Sequence, residues 1–139
     1  YFVKLDTNGT RPQVVRYLYE NHLIDYVSMD IKTSRDRYPE AAGISRVDLS
    51  LIEESVEYLK SHVSDYEFRT TVTRELHTSK DFEDIADWLE GCRAYYLQAY
   101  RESASVIHPV FSSYTKEELE GFCAILRKKI PLAEVRGID

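Results

Sequence analysis

The chain reads as an α/β protein built on a parallel sheet, and three observations predict it. Five short runs rich in Tyr, Val, Phe, Ile and Leu alternate strictly with four segments of helical period. Those apolar runs have the character of strands that are mostly or fully buried, as parallel strands are when helices cover them. Polar residues collect at one set of strand ends, the carboxyl ends, where ligands bind in such sheets. Regular alternation also favours right-handed crossovers between neighbouring strands.

The first strand spans 2–6 and runs into Asp6-Thr7-Asn8-Gly9, a turn-forming tetrapeptide. A helix follows Thr10, with Pro12 in its first turn and Val14, Val15, Leu18 and Tyr19 at helical spacing. The second strand covers 25–31. The second helix is expected to begin near Ser50, whose hydroxyl and Glu53 make a capping box ahead of a stripe of Ile52, Val56 and Leu59, with Leu49 in line. After a strand at 66–72, a third helix starts around Ser79, presents Phe82, Ile85, Ala86 and Leu89, and ends at Gly91. A strand at 94–99 precedes the last helix, which begins at Thr115 with Glu118 three residues on. That helix presents Leu119, Phe122, Cys123 and Leu126, stops by Pro131, and leads to a final strand at 132–136. Segments 33–47 and 101–114, the latter holding His108-Pro109, read as rim loops. Asp25-Tyr26 and Asp65-Tyr66 open two strands alike, a slight echo of a repeated unit.

A length of 139 residues suits one domain. The apolar fraction of 43% and charged fraction of 30% are those of a folded globular chain. A net charge of −6 argues against broad nucleic-acid binding. No apolar run approaches the roughly 18–20 residues of a membrane span, and no leader pattern opens the sequence, so the expected setting is cytoplasmic. Cys92 and Cys123 lack metal-site or redox spacing and read as buried thiols. The first strand, with Phe2, Val3 and Leu5, is expected to leave an open edge through which copies associate.

The strand ends carry the candidate chemistry. The first offers Asp6, Thr7 and Asn8; the second Met29, Asp30 and Lys32; the third Arg69, Thr71 and Thr73; the fourth Gln98, Tyr100 and Arg101; the fifth Arg136. The opposite ends carry mostly Asp25, Asp65 and Ala94, ordinary turn residues. Each feature has a plain structural alternative. Asp6 to Gly9 is also a good turn and cap, since Asp, Thr and Asn bond readily to nearby backbone. Asp30 and Lys32, two apart on one strand face, can pair with each other. Arg69 on a strand needs a carboxylate, from the protein or from a ligand. His22, His62 and His77 are single, and Tyr95, Tyr96, Tyr100 and Tyr114 serve packing as readily as a pocket. No nucleophile elbow, P-loop, dinucleotide fingerprint or close-spaced metal motif occurs.

"VKLDTNGT", "LIDYVSMDIK", "YEFRTTVT" and "YYLQAYR", in this order, resemble the later part of the radical S-adenosylmethionine activases. The resemblance is greatest to anaerobic ribonucleoside-triphosphate reductase activating proteins and pyruvate formate-lyase activating enzymes. It covers nearly the whole chain. It implies that residues 1–139 are the C-terminal portion of a radical S-adenosylmethionine domain, the back part of an incomplete (β/α)6 TIM-like barrel. It also implies a parent enzyme that uses S-adenosylmethionine and a 4Fe-4S cluster to make a glycyl radical on a partner. That partner would be an anaerobic ribonucleotide reductase or a formate-lyase type enzyme, with a reductant protein supplying the electron. The family's cysteine triplet and its Gly-Gly-Glu stretch do not occur in this sequence, so the fragment itself is expected to be inactive. By resemblance Lys32 meets the carboxylate of S-adenosylmethionine, and Asp6, Thr7, Met29 and Asp30 frame a cation beside it. Asn8, Arg69, Gln98 and Tyr100 fall where relatives face the cofactor or the substrate peptide, Tyr100 in place of a histidine. Two rivals stand beside this reading: a barrel lyase with Lys32 as Schiff-base nucleophile, and a non-catalytic interaction module.

Overall fold

The computed structural model describes residues 2–38, 46–100 and 112–136. Its elements alternate as β1 (Lys4–Thr7), α1 (Pro12–Glu20), β2 (Tyr26–Asp30), α2 (Arg46–His62), β3 (Tyr66–Val72), α3 (Ser79–Trp88), β4 (Tyr95–Ala99), α4 (Lys116–Leu126) and β5 (Ala133–Arg136), with a 3-10 turn at Arg35–Arg37. All neighbouring strands are parallel, in the order β1-β2-β3-β4-β5. Sequential order with crossovers of one hand puts every helix on the same side of the sheet. The α/β reading and the strand count hold.

Side chains alternate along a strand, so the register sorts the sheet into two faces. Leu5, Val27, Met29, Phe68, Tyr95, Leu97 and Ala133 share one face and join a single core with Val15, Ile52, Val56, Leu59, Phe82, Ile85, Leu119, Phe122, Cys123 and Leu126 of the helices. The other face carries Lys4, Asp6, Tyr26, Ser28, Asp30, Glu67, Arg69, Thr71, Tyr96, Gln98, Glu134 and Arg136. The strands are expected to be mostly or fully buried; β2 and β3 are mostly so, but the covering by helices is one-sided among the described residues. One face is apolar and covered, and the other is polar and bears no helix among the described residues.

Smaller departures have local causes. Helix α2 begins by Arg46, so Ser50 lies inside it instead of capping it. The stripe through Leu49, Ile52, Val56 and Leu59 extends ahead of Ser50, and burying Leu49 against the core requires a turn of helix before it. Val14 is exposed, on the side of α1 that no described element covers. The cap of α4 is as expected: Glu118 N–H donates to Thr115 Oγ1 (3.2 Å) while Thr115 N–H donates to the Glu118 carboxylate (3.0 Å). Gly91 has φ +83°, the left-handed conformation expected after α3. Of the two rim loops, 39–45 and 101–111, with Arg101, His108 and Pro109, lie outside the described residues. Within the described residues, no helix is long and apolar enough to cross a membrane.

Candidate functional site

The ends of β1, β2 and β3 meet on the polar face. Asp30 and Arg69 are direct partners in the β2–β3 register. Arg69 Nη1 lies 3.4 Å from Asp6 Oδ1, and Arg69 Nε lies 3.9 Å from Asp30 Oδ1. Lys32 Nζ donates to Asp30 Oδ2 at 2.5 Å, and Lys4 Nζ stands 3.9 Å from Asp6. The two polar strand endings therefore form one chain of charges, Asp6–Arg69–Asp30–Lys32. Asp30 is its most sheltered member, with a side chain 22% exposed, whereas Lys32 is 46% exposed. An ammonium so placed, anchored on one side by a carboxylate, has donors left for an anion.

The other predicted positions divide. Thr7 Oγ1 accepts the Gly9 N–H (3.0 Å), and Asn8 Oδ1 accepts both the Thr10 N–H and its hydroxyl (3.0 and 2.8 Å). These are the turn bonds of the plain alternative. Gly9 has φ +81°, and Met29 packs directly beneath it in the core. The side chains of Thr7 and Met29 lie on the covered face, across the sheet from Asp6 and Asp30. The carboxylates of Asp6 and Asp30 are engaged by Arg69 and Lys32. Gln98 is exposed on the polar face beside Thr71. Tyr100 lines a cavity of about 220 Å³ with Asp30, Lys32, Thr71, Thr73 and His77.

Sequence reasoning missed the middle of the polar face. Glu67 is 2% exposed and accepts hydrogen bonds from Tyr26 Oη (2.8 Å), Ser28 Oγ (3.1 Å) and Arg136 Nη1 (3.0 Å). The Arg136 guanidinium lies 3.4 Å from the ring centre of Tyr96, in cation–π contact. The signal was present in the period-two patterns Tyr26-x-Ser28-x-Asp30 and Glu67-x-Arg69-x-Thr71.

Side chains from the rim hold the backbone beneath Lys32. Its N–H donates to Tyr38 Oη (3.0 Å), its carbonyl accepts from His77 Nε2 (2.6 Å), and the preceding Ile31 carbonyl accepts from Thr70 Oγ1 (2.6 Å). His77 Nδ1 lies 3.0 Å from the Thr73 nitrogen, whose N–H it accepts in the neutral ring, and 3.3 Å from the Thr73 carbonyl, while the bond to the Lys32 carbonyl requires a proton on Nε2. Burial holds the His77 pKa below the ordinary 6.5 and pushes those of Tyr38 and Tyr95 upward. Burial pushes the neighbouring Asp81 carboxyl up, but bonds from Thr78 and Ser34 and the charge of Arg37 outweigh it, leaving its pKa below 3.8.

The thiols do not fit an iron–sulfur cluster. Cys92 and Cys123 are buried in the core, and desolvation pushes both up to about 11, away from the thiolate a cluster needs. Among the described residues, no group of three His, Cys, Asp or Glu gathers as a metal site. On the polar rim the exposed Lys32 ammonium has the charge and donors that suit a carboxylate such as that of an amino acid.

No protein-family model matches the chain. It is 36% identical over 102 residues to a protein of Methanocaldococcus jannaschii assigned by its name to the glycyl-radical enzyme activating enzymes, across 70% of this chain and 42% of that relative. The chain thus spans less than half of that relative's length. A crystal structure of a domain of pyruvate-formate lyase-activating enzyme from Bacteroides vulgatus superposes with a TM-score of 0.76 at 15% identity, over 98% of this chain and 81% of that one. At that identity the superposition speaks for the fold, and the sequence match speaks for kinship. The sequence match places this chain in the glycyl-radical-enzyme activating family.

Proposed function

We propose that residues 1–139 form the C-terminal portion of a radical S-adenosylmethionine domain, part of a (β/α)6 barrel, in a cytoplasmic enzyme that activates a glycyl-radical partner of the ribonucleotide reductase or formate-lyase type. The observation that carries this reading is the charge chain Asp6–Arg69–Asp30–Lys32 on a polar sheet face that no described helix covers. S-adenosylmethionine, with a 4Fe-4S cluster that other parts of the parent protein would have to hold, would supply the hydrogen-abstraction chemistry directed at a glycine of the partner. The residues here bind and orient. Lys32 takes the cofactor's carboxylate, Asp30 aims the ammonium, and Arg69 ties Asp30 to Asp6 so that both acids are held in place. Gln98 and Tyr100 border the same space toward β4 and offer hydrogen bonds to cofactor or peptide. A hard cation at Asp6 and Asp30, with the Thr7 hydroxyl and Met29 carbonyl, would require Arg69 and Lys32 to yield and the Thr7 hydroxyl to leave Gly9 and the covered face.

A Schiff-base role for Lys32 fits less well, because that chemistry needs a desolvated amine. Lys32 is half exposed and paired with a carboxylate. Substituting Lys32→Ala in the full-length protein removes a charge-assisted bond, and calorimetry should show S-adenosylmethionine bound about tenfold more weakly or worse. Unchanged affinity would remove Lys32 from the site.

A further inference from the structure

We infer that His77 is a positioning residue for ligand binding at Lys32, holding the Lys32 peptide so that its ammonium stays aimed across the polar face. The inference rests on the proposed role of Lys32. The β2–β3 ladder ends where Ile31 N–H donates to the Arg69 carbonyl (2.8 Å). Beyond that point a strand end normally frays into water, yet both backbone groups of Lys32 are taken by side chains, the N–H by Tyr38 six residues on and the carbonyl by His77, 45 residues away. His77 supplies the shorter bond, 2.6 Å to the Lys32 carbonyl, and it is 1% exposed.

His77 is itself fixed from several directions. Its Nδ1 accepts the Thr73 N–H, its ring stacks on Phe82 with centroids 5.7 Å apart, and its own carbonyl accepts from Tyr114 Oη (2.6 Å). Thr33 Oγ1 donates to the Leu76 carbonyl (3.3 Å), tying the segment after Lys32 to the loop that carries His77. The charges that act on the ring are those of Asp81 and Arg37. A lysine side chain is long and rotamer-rich, so fixing its root lowers the ordering cost at the moment a ligand binds.

The test compares His77→Phe with His77→Gln in the full-length protein, using calorimetric affinity for S-adenosylhomocysteine, which carries the same carboxylate. Phe fills the ring's slot and loses the bond to Lys32. Gln places an amide N–H near the former Nε2 and can keep it. The expected result is affinity three- to tenfold weaker for His77→Phe, at temperatures where it is fully folded, with most of the loss restored by His77→Gln. Equal affinity in His77→Phe and the parent, alongside weakened binding in Lys32→Ala, overturns this inference and leaves the Lys32 reading standing. Equal loss in both His77 variants assigns the residue to packing and overturns it as well. If Lys32→Ala binds normally, the Lys32 reading fails and the inference falls with it.

Discussion

The two faces of the sheet obey different rules although they alternate residue by residue along the same strands. On the covered face Val27, Met29, Phe68, Tyr95 and Leu97 are fully buried against helices. On the other, Asp6, Thr71, Gln98 and Arg136 are exposed, and the buried residues Ser28 and Glu67 are held by hydrogen bonds instead of by apolar packing. One face makes the fold stable and the other leaves it available for chemistry. A sheet with one wet face is ordinary for antiparallel architectures, but a parallel sheet is normally closed on both sides. Here the face that no described helix covers is the one that carries the charge chain Asp6–Arg69–Asp30–Lys32.

The largest effect should come from breaking the covered face. Phe68 is 0% exposed at the centre of the sheet, and Phe68→Ala removes a ring from the middle of the core. The expected loss is about 3–5 kcal/mol of unfolding free energy, read from urea or guanidinium titration. A loss below about 1 kcal/mol would mean that the core collapses around the gap, and that the contrast between the faces is weaker than burial suggests.

This asymmetry explains what the sequence disclosed and what it concealed. Apolar runs and helical stripes mark the covered face strongly, so strand and helix order could be read without coordinates. Arg69 was legible because a guanidinium on a strand demands an acid, and both Asp6 and Asp30 answer. Glu67 was not, since Tyr-Glu-Phe-Arg looks like an apolar strand with incidental charges until register sets Glu67 beside Ser28. His77 looked like a lone histidine for a similar reason. Its partner is the carbonyl of Lys32, a backbone group with no sequence signal, 45 residues away. Thr7 and Asn8 carried the opposite ambiguity, since turn-forming and ligand-binding residue types are the same. Ser50 misled because a capping pattern inside a helix is indistinguishable from one at its start when the apolar stripe is short.

The next effect lies on the seam between the faces, at His77. Its pKa is lowered in the folded protein, so below the ordinary value of 6.5 the unfolded chain takes up a proton that the folded chain refuses. Stability is therefore complete above 6.5 and declines as the pH falls through the window beneath it, by no more than about 1.4 kcal/mol per pH unit from this group. Asp81 adds its own loss only lower down, below 3.8. Denaturant midpoints at pH 7.5 and 5.5 should differ for the parent protein and draw together in His77→Phe, which has nothing to protonate. An unchanged difference in the variant would assign the acid sensitivity to another group.

The smallest effect is expected on the open face, and it is the most discriminating because it asks whether that face is open in solution. Gln98→Ala and Thr71→Ala remove exposed side chains of neighbouring strands that take no part in the buried bonds to Glu67. Each should shift unfolding by less than about 0.5 kcal/mol. Were either to cost well over 1 kcal/mol, the face would have to be covered by something outside the described residues. The exposed apolar side chains of Phe2 and Val3 beside the first strand make a second copy of the chain the first candidate. Sedimentation separates the outcomes. A concentration-dependent dimer that weakens together with the variant's stability would locate the interface on the polar face, whereas a dimer indifferent to Gln98 and Thr71 would point to the β1 edge and leave the ligand face free.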